Sequence, residues 1–217
     1  EEPKDHYTYL DTKWDYQTKT YTATLPETVN GQKVFAWAEE SGGMKLVKPG
    51  VISHSYKGGG AFRTLYPIVK AESWLNRKNS DDETWYYQKQ GQLVQNAWVK
   101  DNGTWYFMND KGVMFNQTWL YQGGNWYAFK SSGAMIASDW LYDQGKWYYL
   151  STSGSMKAST WIFDKGEWYY VSSSGAMIAN DWVKDNGKWY YLASSGKMLR
   201  NTYTPDGYYV GNSGAWQ

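Results

Sequence analysis

Two tryptophans seven residues apart recur five times, as Trp98/Trp105, Trp119/Trp126, Trp140/Trp147, Trp161/Trp168 and Trp182/Trp189. Successive pairs are 21 residues apart, Tyr203 continues the first series, and Met114, Met135, Met156, Met177 and Met198 hold the same phase. Indole and phenol faces carry a negative quadrupole. A slot walled by them attracts a diffuse cation such as a quaternary ammonium, at roughly 0.5–2 kcal/mol per favourable contact. Methionine adds a polarizable wall that adapts to methyl groups. Such a cage needs no carboxylate, so binding is expected to depend only weakly on salt. The competing reading is that the rings are simply the core of a repeat fold.

Elements of fixed period must place these rings. In "WVKDNGKWYYL" two short β-favouring runs, Trp182–Lys184 and Lys188–Leu192, flank Asp185, Asn186 and Gly187. Those three residue types tolerate the positive φ of tight hairpin turns. The "SSG" at Ser194–Gly196 is a second turn signal, leading to Met198. A lone hairpin is marginal in water, but stacked on its neighbours it buries one face per interface. The expected fold is therefore all-β, a solenoid of stacked β-hairpins. Alternation along a strand puts Trp189 and Tyr191 on one face and Tyr190 on the other, with Trp182 across the strand pair.

Bulk composition narrows the function classes. Of 217 residues 19% are aromatic, including 15 Trp and 21 Tyr, and mean hydropathy is −0.74. So thin an aliphatic share predicts that Trp and Tyr supply most of the buried area. A net charge of +1 lacks the clustered basic face that nucleic acid or an anionic membrane needs. No apolar run approaches a membrane span. Cysteine is absent, which excludes disulfides and thiol chemistry. The only histidines are His6 and His54, too few for a multi-histidine metal site. "EEPKDHYTYL" carries no charged-then-apolar signal segment. "LPETV" at Leu25–Val29 has Val where a sorting motif has Gly and no hydrophobic tail behind it, so it reads as a proline-containing turn.

The unit "WVKDNGKWYYLASSGKM" resembles the choline-binding repeat of pneumococcal-type surface proteins and related phage lysins, closely from Trp98 onward and loosely over Trp74–Ala97. The resemblance implies hairpins stacked as a left-handed superhelix with choline between them. It further implies a secreted protein held non-covalently at the bacterial cell surface by phosphocholine on teichoic and lipoteichoic acids. Family cages combine both Trp of one unit with the second Tyr of the next, often with Met. Carried over, the cages are Trp119, Trp126 and Tyr149; Trp140, Trp147 and Tyr170; Trp161, Trp168 and Tyr191; and Trp182, Trp189 and Tyr209. Met135, Met156, Met177 and Met198 line them in turn.

Departures from the pattern matter. Ala128 stands where Trp98 and Trp105 need a Tyr, so that cage lacks a wall. Trp74, Trp85 and Phe107 outline an earlier one, but "LNRKNSDDET" lengthens its hairpin and Leu93 replaces Met. The last unit, with Tyr203 and Gly207 in place of the Trp pair, closes a cage without starting another and reads as a cap. A single weak cage holds choline near the millimolar scale, about −4 kcal/mol. Several cages on one polymer gain about 10²–10⁴-fold by avidity.

This gives two expected regions, a β-rich module or set of degenerate repeats over 1–73 and six to seven choline-binding hairpins of about 21 residues over 74–217. In the first, "KVFAWAEESGGMK" echoes half a repeat, and "KGGGAF" at Lys57–Phe62 marks a flexible loop. His54 lies between Ser53 and Ser55, but neighbours on a strand face opposite ways, which argues against a nucleophile–base pair. Asp11, Asp15, Glu39 and Glu40 read as solvated surface. The expectation is no catalytic residue, no metal and no cofactor. The N-terminal region is expected to act as an interaction or adhesin module toward host or wall-enzyme proteins, and the C-terminal repeat to serve as a homodimer contact. Two alternatives stay open: the wall-anchoring part of a cell-wall hydrolase, and glucan or glycan binding.

Overall fold

A computed structural model describes residues 10–55, 64–78 and 81–217. His6, the Gly-rich loop expected at 57–62 and the tip of the lengthened hairpin at 79–80 lie outside the described residues. The described residues form strands and turns and no helix. The chain divides into two compact units, Glu1–Phe115 and Asn116–Gln217.

In the second unit each repeat folds as one antiparallel hairpin: Trp119–Gln122 with Asn125–Ala128, Asp139–Asp143 with Lys146–Leu150, Thr160–Asp164 with Glu167–Val171, Asp181–Asp185 with Lys188–Leu192, and the terminal Thr202–Tyr203 with Tyr209–Val210. Asn186 and Gly187, with φ of 46° and 78°, form the left-handed pair of a two-residue type I′ turn, whose twist matches that of the strands. The SSG segment closes a second turn in which Gly196 N–H donates to Ala193 O at 2.8 Å and Ala193 N–H to Lys197 O at 2.8 Å. This turn delivers Met198 into a bridge with Leu192.

Stacking then follows from one backbone bond per joint. Met156, Met177 and Met198 each donate N–H to the carbonyl of Trp126, Trp147 and Trp168 in the preceding hairpin, all at 2.8 Å. Gly175 is favoured there by its left-handed φ of 84°, and it lets the Met156 thioether pack close against the backbone.

Among the fully buried side chains are the aliphatic Leu150, Val171, Leu192 and Val210, with Met108 and Gln88, all at 0% exposure, while the outer Trp147 keeps 43%. The strand position after the aromatic triplet faces neighbouring hairpins squarely, and a compact branched side chain fills it without an N–H or O–H to satisfy.

The first unit carries two three-stranded sheets of its own before the repeats. Lys13–Asp15, Thr20–Leu25 and Gly50–Ser55 form one, with Thr20–Leu25 central. Lys45–Val47, Ala36–Glu39 and Tyr66–Ile68 form the other, with Ala36–Glu39 central. The strands Glu72–Lys78, Glu83–Lys89 and Gln92–Leu93 then make the first repeat-like sheet, followed by the hairpin Ala97–Asp101 with Thr104–Met108. The compact unit runs past Ser73 to Phe115 because Ala36, Ala38, Met44 and Ile68 share a core with Tyr86, Leu75, Leu93 and Val113.

"LPETV" is structural. Leu25 is fully buried, and the Pro26 carbonyl accepts the Trp37 indole N–H at 3.0 Å. His54 pairs with Tyr21 in a regular strand, so Ser53 and Ser55 face away from it. Asp15 is exposed, and backbone N–H groups of Gln17 and then Thr18 lower its pKa.

Candidate ligand-binding slots

Register decides which rings share a face. Trp140 lies opposite Tyr149 and Tyr142 opposite Trp147, so these four project to one side of their hairpin. Leu141 and Tyr148 project to the other. The inner indole of Trp140 is half-buried and reaches the following hairpin, its centroid 5.2 Å from Tyr169. The same contact joins Trp119 to Tyr148 at 5.3 Å, Trp161 to Tyr190 at 5.1 Å and Trp182 to Tyr208 at 6.0 Å.

Inner and outer indoles stand almost perpendicular, Trp119 to Trp126 at 6.4 Å and 87°, Trp161 to Trp168 at 6.3 Å and 90°. Two upright walls at a right angle, closed by a phenol from the next hairpin, make an electron-rich corner. Its outer walls Trp126, Trp147, Trp168 and Trp189 stay 40–44% exposed.

The expected cages differ from this geometry in their tyrosines. Tyr149, Tyr170, Tyr191 and Tyr209 pack on Trp140, Trp161, Trp182 and Tyr203 of their own hairpins, at 5.0, 5.1, 5.2 and 5.2 Å. The physical reason is the period of two: the second Tyr shares the face of its own Trp pair and points away from the preceding hairpin. The ring that crosses each joint is the first Tyr.

Met156 donates its backbone N–H to the Trp126 carbonyl and packs, as Trp119 does, against the cluster of Ala128, Ile136 and Leu150. Met177 and Met198 follow at Trp147 and Trp168. At Trp189 the N–H comes from Trp216, at 2.9 Å. Met135 itself lies where a Cβ on Gly154 would fall.

Within the first unit, Trp74 and Trp85 repeat the corner at 6.3 Å and 85°. Its third ring is Tyr106, 4.9 Å from Trp74, in place of the expected Phe107. Phe107 is buried against Trp98 and Phe115, at 5.2 and 5.4 Å. Trp98 and Trp105 form their own perpendicular pair at 6.3 Å and 88° in the first unit, while Ala128 is buried in the second.

Aspartates complete each slot. The indole N–H of Trp119, Trp140, Trp161 and Trp182 donates to Asp143, Asp164, Asp185 and Asp206, at 3.1, 3.2, 3.2 and 2.9 Å. Trp74 makes the same bond to Asp101 at 3.0 Å. Each bond locks the inner indole and puts negative charge beside a corner that, by its rings alone, needs no carboxylate. Hydrogen bonds from Thr204 and then Trp182 lower the Asp206 pKa. Burial, then the charges of Asp164 and Asp139, raise that of Tyr149. The aspartates were legible as a 21-residue series, 143, 164, 185 and 206, but turn chemistry already accounted for them.

Family models decide the kinship. The choline-binding repeat matches residues 155–190 and 176–216, and the cell wall binding repeat matches 96–114, 117–135 and 138–156. The chain belongs to the choline-binding repeat family. Among solved structures of choline-binding proteins, CbpF in complex with ipratropium is similar at 28% identity and a TM-score of 0.57, over 93% of this chain and 72% of that one. The choline-binding domain of Spr1274 from Streptococcus pneumoniae is 40% identical over 38% of this chain and 95% of its own, with a TM-score of 0.35. The Cpl-1 endolysin complexed with a peptidoglycan analogue is 25% identical over 85% of this chain and 51% of its own, with a TM-score of 0.42. Comparison with curated proteins finds no match. As a choline-binding repeat protein, the chain shares the family's all-β architecture of many short hairpins.

Proposed function

We propose that the corners between hairpins take choline, free or as phosphocholine on teichoic and lipoteichoic acids, and so anchor the protein to a bacterial cell surface. The observation that carries this reading is the perpendicular, half-exposed indole pair closed by the next hairpin's tyrosine. A trimethylammonium head meets three ring faces there, each attracting its charge. The aspartate behind the inner indole adds to the attraction. Four such corners in the second unit engage one polymer together, which turns weak single contacts into stable retention.

The repeats act by binding and not by catalysis in this reading. The N-terminal sheets serve as an interaction or adhesin module, a role supported by Tyr16 and Val51, exposed at 85% and 75%. The terminal hairpin, with Tyr203 and Trp216 exposed at 70% and 50%, serves as a contact between two copies.

The test is retention on an immobilised quaternary or tertiary amine. The protein is expected to bind and to elute with free choline. Passage through the column unretained, with calorimetry silent toward choline, would overturn the proposal.

A further inference from the structure

One position on the cage face changes chemistry along the chain while the Trp pair stays constant. It lies directly across the strand pair from the outer indole. Tyr121 faces Trp126, Tyr142 faces Trp147 and Phe163 faces Trp168, but Lys184 faces Trp189. The three aromatic pairs have centroids 4.9–5.0 Å apart and tilts of 46–50°. Their added rings remain 58–59% exposed. At the fourth position the Lys184 ammonium sits over the Trp189 ring, 5.6 Å from its centroid.

A tilt near 45° does not make the flat platform on which a sugar ring stacks. It bends the outer wall into a V, which widens the electron-rich surface toward a rounded cation. Lysine does the opposite. Its own ammonium occupies the indole face and repels a second cation at close range.

We propose that this cross-strand residue grades the slots. Those of Trp126, Trp147 and Trp168 are the strong choline sites, and that of Trp189 is a weak site in which Lys184 competes with the ligand. The inference rests on choline as the ligand of the corners. Replacing a cation–π competitor by an aromatic wall is worth roughly three- to tenfold in affinity. Because the Lys184 repulsion is between charges at the surface, added salt narrows the gap between weak and strong sites.

The test is a choline titration of the full chain carrying isotope-labelled tryptophan, read at each indole N–H resonance by NMR. Trp147 and Trp168 are expected to reach half-saturation at roughly three- to tenfold lower choline than Trp189. Lys184→Met is expected to bring Trp189 toward the others, and Tyr142→Lys to move Trp147 up by a similar factor while Trp168 stays put. If all outer indoles titrate together and neither variant separates or merges them, grading is overturned and choline binding stands. If no indole responds to choline, the ligand assignment falls and the grading with it.

Discussion

The indole N–H of Trp140 donates to Oδ2 of Asp164, in the following hairpin, across 3.2 Å. One bond thus orients a slot wall and ties two repeats together. Asp164→Ala is expected to cost about 1 kcal/mol of stability and to weaken choline at the Trp140 slot. Asp164→Asn, which keeps an acceptor oxygen, is expected to restore most of the stability. Urea unfolding paired with calorimetry checks both; equal losses in the two variants would show that charge, not the hydrogen bond, holds the indole.

Stability and binding are expected to separate within one strand. Leu150 is fully buried and Trp147 is 43% exposed. Leu150→Ala is expected to cost about 2–5 kcal/mol with its neighbouring slots impaired only through unfolding. Trp147→Ala is expected to cost less than about 2 kcal/mol while lowering choline affinity at its slot about tenfold. Thermal unfolding and indole-resolved titration measure the two effects independently.

Adjacent tyrosines are expected to serve different slots. Tyr148→Ala removes the ring against Trp119, and Tyr149→Ala the ring against Trp140. The first is expected to perturb the titration of Trp126 and the second that of Trp147. Loss of the Trp126 response in Tyr149→Ala, with Tyr148→Ala silent there, would restore the assignment suggested by family resemblance.

The pH limits are expected to come from opposite ends of the chain's titratable set. Asp206 has its folded pKa lowered from 3.8 by Thr204 and Trp182. Its contribution is therefore present above that value and lost as pH falls through the lower folded pKa. Tyr149 has its folded pKa raised from 10.0 by burial, then by Asp164 and Asp139. Its contribution is present below 10.0 and lost as pH rises through the higher folded pKa. Asp206→Asn is expected to flatten the acid limb and Tyr149→Phe the alkaline limb, read by unfolding midpoints across pH. Between the two limits choline binding is expected to hold steady.

Much of this architecture was legible in advance because its causes are local. Asn186 and Gly187 demand a left-handed turn wherever they stand, and a 21-residue repeat of Trp, SG and Met sets hairpin, second turn and bridge in order. Strand alternation likewise placed Trp189 with Tyr191 on one face, as the register shows. What local rules do not contain is which face meets which neighbour. Only the stacked hairpins decided that Tyr148, not Tyr149, closes on Trp119, and that Trp216 takes the methionine's place at Trp189. The aspartates show why such facts stay hidden. Asp185 satisfies a turn preference within its own hairpin, so nothing in the sequence remains unexplained, yet its carboxylate also accepts the Trp161 indole N–H from the hairpin before. A residue with a sufficient local reason conceals its long-range one, because turn propensity acts over a few residues and contact across a joint depends on the packing of two repeats.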